Sequence, residues 1–292
     1  MRIVISVMLL LPSLLWAQDL FNEDLTPAQA RAAIAAGADV NARCCRTPLL
    51  IAARSNENPE VLEILIDAGA HMDVRDERGM TPLIWAALTG RSTDIVELLI
   101  ASGAEVEATD GGGMTALHYA TSENNEAPEI TKFLLETGAD PNRRDHAGRT
   151  ALMWALRNHE SNVRQVQILL DAGADLNATD EDGLTPLMWG AMGALNTNVL
   201  QLIIDAGADL EATDNDHGMT PLLFAVNWDH WPDWWSTWVS DKVLFLIDAG
   251  ADVTATDNEG RTAWDLIQQN EGLRETEAYQ VVRVLVLSLP QE

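Results

Sequence analysis

The sequence predicts an all-α solenoid of stacked helix–turn–helix units with β-turn tips, built from an N-terminal cap and seven repeats. Three observations carry that prediction. A Thr heading a short apolar run recurs at Thr47-Pro48-Leu49, Thr81-Pro82-Leu83, Thr115-Ala116-Leu117, Thr150-Ala151-Leu152, Thr185-Pro186-Leu187, Thr220-Pro221-Leu222 and Thr262-Ala263-Trp264, at intervals of 34, 34, 35, 35, 35 and 42 residues. A Gly-Ala pair recurs in phase with it, at Gly69, Gly103, Gly138, Gly173, Gly207 and Gly250. A polar turn opening on Asp recurs at Asp76, Asp110, Asp145, Asp180, Asp214 and Asp257. Marks repeating together at such a period define a repeat array.

Each unit has a physical reading. Thr is a good N-cap, and Pro suits the first helical position because its missing N–H has no intrahelical partner there. Leu83-Ile84-Trp85-Ala86-Ala87 therefore starts a short first helix. A polar turn leads to a second helix, such as Ile95-Val96-Glu97-Leu98-Leu99-Ile100, apolar enough to be flanked on both sides. Gly103 ends it in the left-handed cap position. Asp at the start of a turn accepts local backbone N–H bonds, and this is the role expected of all six.

On these residues the chain resembles the ankyrin repeat family, whose roughly 33-residue unit of β-turn plus two helices carries a T-P-L-H-x-A signature. The resemblance covers about residues 26 to 289. It implies the solenoid fold, a role in protein–protein binding, and partner contacts from the turn tips and first helices. The signature His survives only as His118; Leu50, Ile84, Met153, Met188 and Leu223 replace it elsewhere. Those repeats are expected to rely on apolar packing instead.

In chain order, residues 1–17 read as a secretory signal peptide. Ile3 to Trp16 is apolar except for Ser6, Pro12 and Ser13, and too short for the about 20 residues that span a bilayer. The protein is expected to be periplasmic or secreted, with no stable membrane insertion after cleavage. Residues 18–43 form the N-terminal cap. The repeats occupy 44–75, 76–109, 110–144, 145–179, 180–213, 214–256 and, as a C-terminal cap repeat, 257–289. Cys44-Cys45 lie in the first connecting turn, as small turn residues, as a vicinal disulfide or as thiols that pair with a partner's.

The net charge is −27, and only Lys132 and Lys242 are lysines. Such a surface repels nucleic acid and anionic lipid, and steers a protein partner with a basic surface toward itself. An inhibitor or immunity-type protein that masks a basic secreted enzyme fits this charge. The six His lie at different repeat positions, and no string for a metal, phosphate or nucleophile site occurs. Calcium at Asp214-Asn215-Asp216 lacks the EF-hand spacing. No catalysis, cofactor or metal is expected.

Three groups are candidates for partner binding. Trp85, Tyr119, Trp154, Trp189 and Phe224 share one position, where they either pack between repeats or floor a groove. Met80, Met114, Arg149, Leu184 and Met219 precede the capping Thr at the turn tips, where exposed Met would give an adaptable apolar edge. The third group interrupts the array. From Thr220 to Gly250 is 30 residues against 22 or 23 elsewhere, and the inserted stretch 227–241 carries Trp228, Trp231, Trp234, Trp235 and Trp238. Five Trp carry up to about 1,000 Å² of apolar surface. They either fold back on the last repeats or form a recognition surface, for a protein or, alternatively, for a cell-wall glycan.

Overall fold

The computed structural model describes residues 20–42, 47–122, 128–157, 163–193, 196–227 and 236–288. The chain divides into two compact units, Met1–Asp140 and Pro141–Glu292. In the first, the inner helices are α2 (Pro48–Ser55), α4 (Pro82–Thr89) and α6 (Ala116–Ser122). The outer ones are α1 (Pro27–Ala35), α3 (Pro59–Asp67), α5 (Thr93–Ala101) and α7 (Pro128–Glu136). In the second, the inner layer is α8 (Ala151–Arg157), α10 (Pro186–Gly193), α12 (Pro221–Asn227) and α14 (Ala263–Gln269). Its outer layer is α9 (Val163–Asp171), α11 (Thr197–Asp205), α13 (Ser236–Asp248) and α15 (Glu277–Ser288). Within each unit, successive inner helices pack on one another, and so do successive outer helices.

The period arises from repeated local chemistry. Outer helices bury a stripe at i, i+1 and i+4, as in Ile95, Val96 and Leu99 of α5 or Val199, Leu200 and Ile203 of α11. Burying each such side chain is worth about 2 kcal/mol. Gly103 has φ 98°, and the N–H of Ala104 reaches back to the Leu99 carbonyl at 2.9 Å, which ties off the helix end. The same backward bond recurs at each Gly-Ala pair, from Ala38 to Ala251. At the N-terminal end, Thr26 and Gln29 form a reciprocal capping box on α1, and the Asn56 amide bonds the Leu25 carbonyl at 2.8 Å.

The third helical position corrects the expectation of purely apolar packing. His118 Nδ1 accepts the Thr115 N–H at 3.1 Å. Met153 and Met188 do not merely fill space there, because each sulfur accepts the matching Thr N–H, at 3.5 Å from Thr150 and 3.4 Å from Thr185. Asp265 takes the same role from Thr262 at 2.9 Å. Only Leu50, Ile84 and Leu223 leave the position purely apolar.

Neighbouring tips are joined by single backbone bonds. Gly111 N–H donates to Arg78 O at 2.9 Å in the first unit. In the second, Glu181 donates to Ala147 O, Asn215 to Asp182 O and Asn258 to His217 O, at 2.9, 2.9 and 2.7 Å. Gly183 sits under one of these links with φ 82°, and a Cβ there would stand 2.8 Å from the Asn215 nitrogen. Gly183→Ala is expected to cost about 2 kcal/mol, through the left-handed conformation and the wedged link. Urea unfolding measures it, and a loss below the error of the fit would mean the tips slide apart freely.

The sixth repeat accommodates its extra residues partly in its outer helix, since α13 runs 13 residues where α11 has nine. Lys242 on α13 is buried, and its ammonium donates to Ala191 O at 2.7 Å and Met192 O at 3.3 Å in the last turn of α10. At the C-terminal end α15 buries Ala278 and Val282 but exposes Val284 and Leu287. The N-terminal leader and Cys44-Cys45 lie outside the described residues. So do Trp228, Trp231, Trp234 and Trp235. No helix among the described residues is long and apolar enough to cross a membrane.

Candidate protein-binding face

Each tip is organised by its Asp. One carboxylate oxygen of Asp76 accepts the N–H groups of Arg78 and Met80, at 2.9 and 3.0 Å. The same pair of bonds recurs on Asp110, Asp145, Asp180 and Asp257. The turn role expected for these Asp is the one they have.

The second oxygen does something the sequence reading did not anticipate. It accepts a side-chain donor from the inner helix nine residues on. Trp85 Nε1 donates to Asp76 at 3.0 Å, Tyr119 Oη to Asp110 at 2.7 Å, Trp154 Nε1 to Asp145 at 3.1 Å and Trp189 Nε1 to Asp180 at 2.9 Å. The aromatic position is thus a clamp fixing tip to inner helix. Burial and acceptance by the Asp110 carboxylate push the Tyr119 phenol up to about 12. Phe224 has no donor, and its tip is one residue longer; there the His217 backbone N–H donates to Asp214 at 3.1 Å, and the ring nitrogen Nδ1 of His217 stands 3.4 Å from the same oxygen. Leu266 has no donor either, and Arg261 Nε fills the Asp257 oxygen at 2.7 Å. Burial raises the Asp257 carboxyl, but the Arg261 backbone and guanidinium and the Glu259 N–H outweigh it and hold the acid below its ordinary range. The clamp was legible as an Asp-to-aromatic spacing of nine in four repeats.

Clamping leaves the flanking residues to solvent. Trp85 and Tyr119 are buried, while Trp154, Trp189 and Phe224 are half-buried. Glu77 and Arg78 on one tip are exposed, as are His146, Glu181 and Asp182, and then Asn215, Asp216 and His217, on others. The Met edge is only partly available. Met114, Arg149 and Leu184 are half-buried, but Met80 and Met219 turn inward, with 0% and 2% of their surface exposed, and present nothing to a partner. Trp238, the insert tryptophan among the described residues, is 42% exposed near the start of α13.

Arginines gather on two of the clamped rings. In the first unit Arg54 and Arg78 lie 5.1 and 6.0 Å from the Trp85 centroid. In the second, Arg149 and Arg157 lie 4.3 and 5.1 Å from that of Trp154. Among the described residues no group of three His, Cys, Asp or Glu side chains is placed to hold a metal ion.

Thr-capped inner helices, apolar outer helices and Asp-clamped tips define a helical-repeat binding scaffold. The chain belongs to the ankyrin repeat family: a family model described as ankyrin repeats in three copies matches residues 22–110, 94–180 and 160–257. Repeats of this family serve as protein–protein interaction scaffolds. A search of curated proteins finds no match.

Proposed function

We propose that this protein is an exported scaffold that binds a partner protein with a basic surface, masks it as an inhibitor or immunity-type protein would, and catalyses nothing. The observation that carries the reading is the clamp. Each Asp–aromatic bond fixes a tip on its inner helix before any partner arrives, so the exposed residues beside it lose little entropy on binding. The net charge of −27 supports a basic partner and fast, salt-sensitive association. Export to the periplasm or beyond rests on the apolar N-terminal run. The test is a pull-down from periplasmic extract at low and high salt. One basic protein should be recovered at low salt and weakened at high salt; no partner under either condition would overturn the reading.

Exposed Trp238 favours one second reading, a glycan or cell-wall contact made by the insert. Replacing Trp231, Trp234, Trp235 and Trp238 with Ala should then abolish retention on peptidoglycan or polysaccharide. Unchanged retention would remove it.

A further inference from the structure

We infer that the fourth repeat holds a carboxylate-reading site, in which the Arg149 and Arg157 guanidiniums over Trp154 take an Asp, Glu or C-terminal carboxylate of the partner protein. The inference rests on the binding-scaffold reading and names the chemistry of one contact within it.

Charge is the first argument. The chain has 18 Lys and Arg against 45 Asp and Glu, yet the stretch from Arg143 to Arg164 holds five Arg against Asp145 and Glu160 alone. Within it, Arg157 is exposed and has no hydrogen-bond or ion-pair acceptor among the described residues; its contact is the Trp154 ring, 5.1 Å away. A second guanidinium, that of Arg149, lies 4.3 Å from the same centroid. Stacking on an indole stabilises either cation, but two cations on one ring repel each other, and an anion that pairs with Arg157 relieves that. Asp145 is the counter-ion of Arg149 alone and does not reach Arg157. It is buried, and its oxygens already receive the N–H groups of Ala147 and Arg149, the Trp154 indole and Arg149 Nε at 2.9 Å.

Geometry is the second argument. The indole under Arg157 is anchored by its bond to Asp145 at 3.1 Å. A guanidinium stacked by its face keeps its N–H edges outward, in the fork that matches a carboxylate. Trp85 with Arg54 and Arg78 repeats the arrangement in the first unit in a more closed form, since that ring is 7% exposed. A nucleic-acid phosphate would meet the same fork, but a net charge of −27 opposes a polyanion. A single carboxylate on an otherwise basic protein meets no such barrier.

The test uses the full chain, labelled with nitrogen-15, in about 0.15 M salt to screen the overall charge. The Trp154 indole N–H resonance, identified by its loss in Trp154→Phe, is followed on titration with N-acetyl-pentaglutamate amide and with N-acetyl-pentaglutamine amide. Pentaglycine with a free or an amidated C-terminus tells a terminal from a side-chain carboxylate. The Glu peptide should give a saturable shift and the Gln peptide should bind about tenfold more weakly or not at all, the worth of one charge-assisted bond. Arg157→Gln should lose the same factor, and Arg157→Lys should fall between, keeping the charge without the fork. Equal responses to the Glu and Gln peptides, no response to either, or an unchanged response in Arg157→Gln would each overturn the assignment. If Arg157→Gln proves unfolded by circular dichroism, the peptide pair and the Lys variant still decide. A partner recovered by pull-down and held equally well by Arg157→Gln would leave the scaffold reading standing and remove this one.

Discussion

Asp180→Ala is expected to remove about 4 kcal/mol of stability and to loosen the fifth repeat before its neighbours. Asp180 is buried and accepts three hydrogen bonds, from the N–H groups of Asp182 at 3.1 Å and Leu184 at 2.8 Å and from Trp189 Nε1 at 2.9 Å. A bond to a charged acceptor is worth about 1.5–3 kcal/mol, and a buried donor left without one costs a comparable amount. Two of these donors belong to a tight turn that water reaches easily, which brings the sum down to about 4 kcal/mol. The damage spreads because that turn also carries the links to both neighbouring tips, through Glu181 and Asn215. Asp180→Asn keeps one acceptor oxygen and turns an amide donor or a second oxygen toward the indole, so about half the loss is expected. Trp189→Phe removes a single bond and should cost about 1 kcal/mol. Urea unfolding of the three variants gives the order, and hydrogen exchange at Asp182 and Leu184 should rise most in the Ala variant. A loss under about 1 kcal/mol for Asp180→Ala would mean that water already serves the turn.

Those clamps also show where sequence reading succeeds and where it stops. The Thr cap, the Gly-Ala stop and the turn Asp act through residues fewer than six positions away, so their chemistry is written locally and all were legible. The nine-residue spacing of Asp76 to Trp85 and Asp180 to Trp189 was present too, but it gains meaning only once the tip folds back over the inner helix. Met153 and Met188 illustrate a different gap. Replacement of His by Met reads as a change from polar to apolar, yet the thioether sulfur keeps an acceptor at the same place. Exposure was harder still. Met80 and Met114 hold equivalent positions, but one is buried and the other half-buried. Position in a repeat fixes direction, not the depth of cover.

The hardest residue to foresee is Lys242, and it carries the second large effect. Lysine on an outer helix of an acidic protein reads as a surface charge, but α13 lays it against the end of α10, some fifty positions earlier in the chain. Its ammonium there faces two carbonyls and no carboxylate among the described residues. Carbonyls at a helix C-terminus favour a cation, yet they replace only part of the lost hydration. Burial consequently pulls the amine down from 10.5 to about 8. With the folded pKa below the unfolded one, the unfolded chain binds the extra proton between about pH 8 and 10.5, so folding stability must rise across that window. A shift of this size is worth about 3 kcal/mol. Tyr119 acts in the opposite sense and later: its folded pKa of about 12 exceeds the ordinary 10.0, so it withdraws stability only as pH climbs above about 10. Lys242→Met isolates the amine. The stability of the native protein relative to this variant should be flat up to pH 8 and then increase by about 3 kcal/mol toward pH 10.5, with Tyr119 cancelling from the difference. At pH 7 the variant should be close to neutral, since freeing α10 of a dehydrated charge is offset by two carbonyls losing their donor. A difference curve without slope between pH 8 and 10 would mean that the ammonium keeps its water in the folded state.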